Sequence, residues 1–301
     1  MRTHLTCSAV AAFAICMAAP AASAQLPTCT DPVARAASPE HVACHGYAAV
    51  DGLRMYYELR GAGRRLVLLH GGGSTIETTF GRVIDSLART HRIIAIELQS
   101  AGHTNDVAGR PLTFERDADD VAGVLDALHV RSADVFGFSN GANTAVRLAM
   151  RHPSLVRRIV FASGFTKSAA LDPHLFAGLR QATPASMPPV LRNAYLATAP
   201  DPSALPAMVS KSARRVLTFV DWPDSVVATV KAPTLVMGGD HDVMSVEHLA
   251  HVARTLPNAE LVIFPGADHG AYLGEASARM PCPGCAAAAV AFINAFLAAP
   301  R

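Results

Sequence analysis

The sequence predicts an α/β fold: a mainly parallel sheet with helices on both faces. Three observations carry that reading. Short apolar runs alternate with longer helical stretches along nearly the whole chain. Most of these runs are continuously apolar rather than alternating, as in strands buried on both faces. One of them, residues 133–138, leads through Gly137-Phe138-Ser139-Asn140-Gly141 straight into a helical stretch.

Taken in order, residues 25–46 are rich in Pro, Ala and polar residues and read as an irregular lead-in. Residues 47–50 and 53–59, separated by Asp51-Gly52, read as a hairpin. Further strands are predicted at 65–69, 92–98, 133–138, 158–162, 234–237 and 260–264, and helices at 76–89, 114–129, 140–151, 246–256 and 286–297. The alternation fails once, over 165–230. That stretch carries many prolines, yet Leu175, Phe176, Met187, Tyr195 and Trp222 make it too apolar for a disordered linker. A compact, mostly helical insertion is expected there, its apolar residues either lining a pocket or forming a small core of their own.

The first residues have their own logic. Met1-Arg2 gives a positive start, residues 5–19 are apolar, and Ala22-Ser23-Ala24 places small residues where a signal peptidase reads. Residues 1–24 are therefore expected to be a secretory signal peptide. The apolar run is short for a membrane span, which needs about 20 residues. Export to the periplasm or beyond, with no stable membrane insertion, follows as an expectation. In an oxidising compartment the four remaining cysteines, Cys29, Cys44, Cys282 and Cys285, read as disulfide partners. Cys29 with Cys44 and Cys282 with Cys285 is one pairing; cross-pairing between the two sets is the other. A zinc or redox role for Cys282-Pro283-Gly284-Cys285 is the weaker reading, because no thioredoxin-like strand precedes it.

Composition excludes other classes. The 301 residues carry a net charge of +2, with 26 basic residues scattered rather than striped. No nucleic-acid footprint results. No metal-ligand constellation is legible, and Gly71-Gly72-Gly73 lacks the Lys-Ser/Thr of a phosphate loop, so no cofactor is expected.

The G-x-S-x-G motif alone is weak, since a chain of this length contains one by chance roughly one time in ten. Its companions give it weight. "LVLLHGGGS" (66–74), "IIAIELQSAGHT" followed by "LTFERDADDVAGVLDAL", "DVFGFSNGANTAVRLA", "APTLVMGGDHDVM" and "LVIFPGADHG" occur in that order on the expected strands and loops. Together they resemble the α/β-hydrolase fold family over residues 47–297. The resemblance implies an eight-stranded sheet formed by 47–164 and 231–301, with 165–230 as a cap inserted after the sixth strand. It further implies Ser139 as nucleophile, His269 as base and Asp242 as the acid that orients it, with Asp240 as the close competitor and Asp268 too near His269 in sequence. The backbone N–H groups of Gly72 and Asn140 would face the oxyanion, and His70 would brace the glycine loop. The Asn140 side chain departs from the Met or Gln frequent there. Serine at 139, where haloalkane dehalogenase and epoxide hydrolase relatives carry aspartate, leaves acyl transfer to water. The implied activity is hydrolysis of a small-molecule carboxylic ester. Lactonase, amidase or C–C bond hydrolase chemistry, or a binding protein with an idle triad, are the alternatives.

Overall fold

Asp51 and Gly52 both take positive φ, 45° and 79°. That is the turn chemistry of a two-residue hairpin, and it folds strand β1 (Cys44–Val50) back onto β2 (Leu53–Arg60). The computed structural model describes residues 28–29 and 43–300. The expected signal peptide and most of the lead-in lie outside the described residues. The lead-in boundary at residue 46 is corrected by the structure. Cys44 already pairs with Leu59, so β1 starts earlier than its apolar residues indicate. Cys44 is also disulfide-bonded to Cys29.

The remaining strands are β3 (Arg64–Leu69), β4 (His91–Ile96), β5 (Ala133–Phe138), β6 (Val156–Ala162), β7 (Thr234–His241) and β8 (Ala259–Asp268). They form one eight-stranded sheet in the order β1-β2-β4-β3-β5-β6-β7-β8. The β1–β2 and β2–β4 pairs are antiparallel and the rest parallel. β3 shows why its run is unbroken. Val67 and Leu69 enter the apolar cluster on one face, Leu66 and Leu68 the cluster on the other, and all four are fully buried.

Helices cover both faces: α1 (Ile76–Phe80), α2 (Ile84–Ala88), α3 (Phe114–Ala127), α4 (Asn140–Arg151), then, after β6, α5 (Pro173–Arg180), α6 (Pro189–Thr198), α7 (Leu205–Leu217) and α8 (Asp224–Val227), and finally α9 (Val246–Thr255) and α10 (Cys285–Ala298). The single helix expected over 76–89 is two short ones. Gly81 and the β-branched Val83, both weak helix formers, occupy the turn between them. Between β6 and β7, residues 165–230 are helical, with Pro173 and Pro189 in the first turns of α5 and α6, where a missing N–H costs nothing.

Candidate active site

β5 ends at Phe138 and α4 begins at Asn140, leaving Ser139 alone on the turn with φ 54° and ψ −119°. Such a conformation costs a non-glycine residue about 1–3 kcal/mol and persists only where the surroundings impose it. The flanking glycines show what imposes it. A Cβ on Gly137 would collide with the carbonyl oxygen of Gly141, and one on Gly141 with that of Leu69. The Ser139 N–H donates to the Ala162 carbonyl at 2.8 Å, tying the turn to the end of β6.

His269 and Asp242 arrive by strand register. β7 and β8 continue past their apolar runs: Gly238 pairs with Ile263, Gly239 with Phe264 and, across a bulge, His241 with Asp268. The next residue of each strand is therefore delivered beside the other, and these are Asp242 and His269. His269 Nδ1 lies 2.7 Å from Asp242 Oδ1, and His269 Nε2 lies 3.1 Å from Ser139 Oγ. The Phe138 ring packs on the imidazole, with centroids 4.8 Å apart. The Asp242 carboxylate is fully buried, while the imidazole keeps 27% of its surface exposed.

Electrostatics ties the pair together. Burial alone would lower the His269 pKa, but the charge and hydrogen bond of Asp242, with Glu275 and Asp268 nearby, outweigh it and raise the value above the ordinary 6.5. Burial would likewise raise Asp242; the His269 ring and the donors around the carboxylate outweigh it and hold its pKa below the usual carboxylate range. The competitors are placed elsewhere. Asp240 is 40% exposed and accepts from the Gly266 N–H at 2.7 Å. Asp268 accepts from the Arg279 and Met280 N–H groups and secures the following loop.

The glycine loop follows β3. His70, fully enclosed, receives the Leu98 N–H on Nε2 at 3.1 Å, leaving Nδ1 to donate to the Gly71 carbonyl at 2.8 Å. Burial lowers its pKa and keeps this neutral form, that of a brace. Among the described residues, neither the Gly72 N–H nor the Asn140 N–H, at the first position of α4, has a hydrogen-bond partner. The buried Asn140 side chain lies against Gly72, a contact that sequence reasoning passed over.

Two further groups were missed. Ser163, just past β6, donates its hydroxyl to Asp242 Oδ2 and contacts the Tyr272 hydroxyl at 2.6 Å. A Ser-Gly pair ending a buried strand beside the Ser139 turn was the only signal. His248 on α9 is buried, accepting the Thr166 N–H at 3.1 Å. The segment 165–230 also packs differently from a simple pocket wall. Trp222 joins Phe114, Phe165 and Phe219 in the main core, and Tyr195 joins Leu205, Met208 and Val209 in a separate cluster. Met187 is the one placed at the glycine loop, its Cε 3.5 Å from where a Gly73 Cβ would stand. Cys282 is bonded to Cys285 at the start of α10. Among the described residues no group of side chains could hold a metal ion, and no helix is long and apolar enough to cross a membrane.

Comparison with known proteins agrees with this architecture. A family model described as alpha/beta hydrolase fold matches residues 64–214, half of the chain, and the chain belongs to that family. Its relatives are hydrolases. A 2-hydroxymuconate semialdehyde hydrolase of Pseudomonas sp. (strain CF600) is 36% identical over 111 residues, covering 36% of this chain and 39% of that protein, well under half its length. A pimeloyl-[acyl-carrier protein] methyl ester esterase of Vibrio atlanticus (strain LGP32) is 25% identical over 250 residues, 74% of this chain and 94% of that one. The crystal structure of a bacterial membrane phospholipase A superposes with a TM-score of 0.71 at 20% identity, covering 85% of this chain and 87% of that one, a likeness of fold.

Proposed function

We propose that the protein is an exported serine hydrolase that cleaves carboxylic esters of small molecules through an acyl-enzyme. The observation that carries the reading is the unbroken line of contacts from Ser139 Oγ to His269 Nε2 (3.1 Å) and from His269 Nδ1 to Asp242 Oδ1 (2.7 Å). In this reading Ser139 Oγ attacks the ester carbonyl carbon as His269 Nε2 takes its proton. Asp242 holds the tautomer with Nε2 free and stabilises the imidazolium. The negative oxygen of the tetrahedral intermediate faces the unpartnered N–H groups of Gly72 and Asn140, each such donor being worth roughly 3 kcal/mol. The C–O bond then breaks and His269 returns the proton to the leaving alkoxide. Water, deprotonated by the same nitrogen, releases the acid and regenerates Ser139. Residues 165–230 act as a cap that shapes the acyl pocket, with Met187 at its edge. Export rests on residues 1–24 and suits the two disulfides.

A C–C bond hydrolase is the second reading, favoured by the 36% identity to the semialdehyde hydrolase. An acyl-chain series of chromogenic esters, assayed with wild type and Ser139→Ala, tests the proposal. Ester turnover by wild type, lost in the variant and blocked by a fluorophosphonate probe, supports it. Turnover of a dienoic C–C substrate with no ester cleavage would replace it with the second reading.

A further inference from the structure

The geometry points to Ser163 as a positioning residue for the acid, the middle of a buried chain of hydroxyls running Tyr272–Ser163–Asp242. The inference rests on the reading of Ser139, His269 and Asp242 as a triad. Proton counting fixes the directions of the chain. An ionised carboxylate only accepts, so the single Ser163 proton goes to Asp242 Oδ2. Ser163 Oγ must then accept the Tyr272 proton across 2.6 Å. Burial keeps that phenol protonated, its pKa held well above 10. Asp242 thus has each oxygen assigned, Oδ1 to His269 and Oδ2 to Ser163.

Ser163 is built for this place. It takes φ 51°, the left-handed conformation that a non-glycine residue adopts reluctantly. Its N–H donates to the Met237 carbonyl at 2.8 Å, which locks it between β6 and β7. Ser139 and Ser163 therefore occupy equivalent positions, each the first residue past neighbouring parallel strands and each at positive φ. Tyr272 closes the arrangement. It lies three residues after His269, stacks on Phe264 with centroids 4.9 Å apart, and is fully buried. The acid is held from the side opposite the base by the base's own loop.

The hydroxyl has two effects. It prevents the carboxylate from rotating off Nδ1, and it draws negative charge from Asp242 and so moderates the basicity of His269. Ser163→Ala removes both. kcat/KM is expected to fall about 10-fold or more, short of the ~10³-fold loss from removing a triad member. The acid limb of the kcat/KM–pH profile is expected to move to higher pH by roughly half a pH unit, because the undiluted carboxylate stabilises the imidazolium more. Glu275 and Asp268, the other carboxylates near the ring, are untouched by the substitution. Tyr272→Phe is expected to move the limb the same way by less. Ser163→Gly suits the positive φ and serves if the alanine variant folds poorly. A wild-type pH limb in folded Ser163→Ala or Ser163→Gly, whatever the melting temperature, would overturn the inference. Ser139→Ala run alongside separates the cases: if it remains active the triad reading itself falls, and if it is dead while Ser163 variants titrate normally, only the positioning role does.

Discussion

At the carboxyl edge of β5 to β8 the side chains that meet are polar, largely buried and individually fixed. Ser139, Ser163, Asp242, His269 and Tyr272 contact one another directly, two of them at positive φ. The segment 165–230 is built otherwise. Between residues 172 and 200 only Leu191 and Tyr195 are buried, and its outer part is held by a small apolar cluster around Tyr195 and Met208. Its foot is different again. Arg215 on α7 forms an enclosed ion pair with Asp117 on α3 at 2.9 Å, Thr166 donates to His248, and Trp222 sinks into the main core. Chemistry needs positions defined to fractions of an ångström; a wall that selects substrates needs only shape. The contrast teaches that the proposed reacting groups stand on turns at the strand ends, while the outer part of the helical segment is held by apolar packing.

The largest expected effect is the sharpest test of that division. Ser139→Ala and His269→Ala are each expected to lower kcat by at least ~10³-fold in an ester assay, while no alanine in 172–200 approaches that loss. Asp242→Asn is expected to be severe and Asp240→Asn mild, as their burial dictates; the reverse order would reassign the acid. Next comes the joint. Arg215→Ala leaves the Asp117 carboxylate buried and unpaired, which is expected to cost about 3 kcal/mol in urea unfolding. If that variant also changes the ester chain-length profile at permissive temperature, the foot and the pocket are not independent.

Two histidines then divide the pH response. His269 must be neutral to accept a proton, and its pKa is raised, so kcat/KM is expected to rise with pH through an apparent pKa above the ordinary ~6.5. A limb below that value would contradict the Asp242 contact. His248 goes the other way, pushed by burial down to about 4. The unfolded chain therefore binds a proton that the folded one refuses. Stability from this group is complete above ~6.5 and is lost by roughly 1 kcal/mol per pH unit as pH falls towards 4. Melting curves of wild type and His248→Gln across that window are expected to converge at the acid end. The smallest effect is expected from Met187→Ala. Opening space beside the glycine loop is worth ~1–3 kcal/mol of discrimination, seen as a shifted ratio of kcat/KM between short and long esters with little change in melting temperature.

Much of this was legible in the sequence because it was written in runs. Continuous apolar stretches gave the strands, and the glycines around Ser139 announced a turn that tolerates no Cβ. The ends of β7 and β8 were not legible. Gly238, Gly239, Pro265 and Gly266 look like loop, and only the pairing of Gly238 with Ile263, Gly239 with Phe264 and His241 with Asp268 carries both strands through them. Ser163 and His248 were missed because a lone polar residue has no period; its role exists only once a partner from a distant segment arrives. The apolar residues of 165–230 did not say how deep or against what they pack: Tyr195 and Trp222 are buried, Leu175, Phe176 and Met187 only half-buried, and Met187 lies beside the glycine loop.

The separate cluster of Tyr195, Leu205, Met208 and Val209 has a consequence for how such a molecule can change over generations. Because those side chains pack on one another, amino-acid drift among them is absorbed within the cluster, whereas Leu175, Phe176 and Leu179 of α5 rest against the main core and transmit it. If the segment is the substrate wall proposed above, a lineage can revise it around that cluster while the positive-φ turns at Ser139 and Ser163 are inherited unchanged.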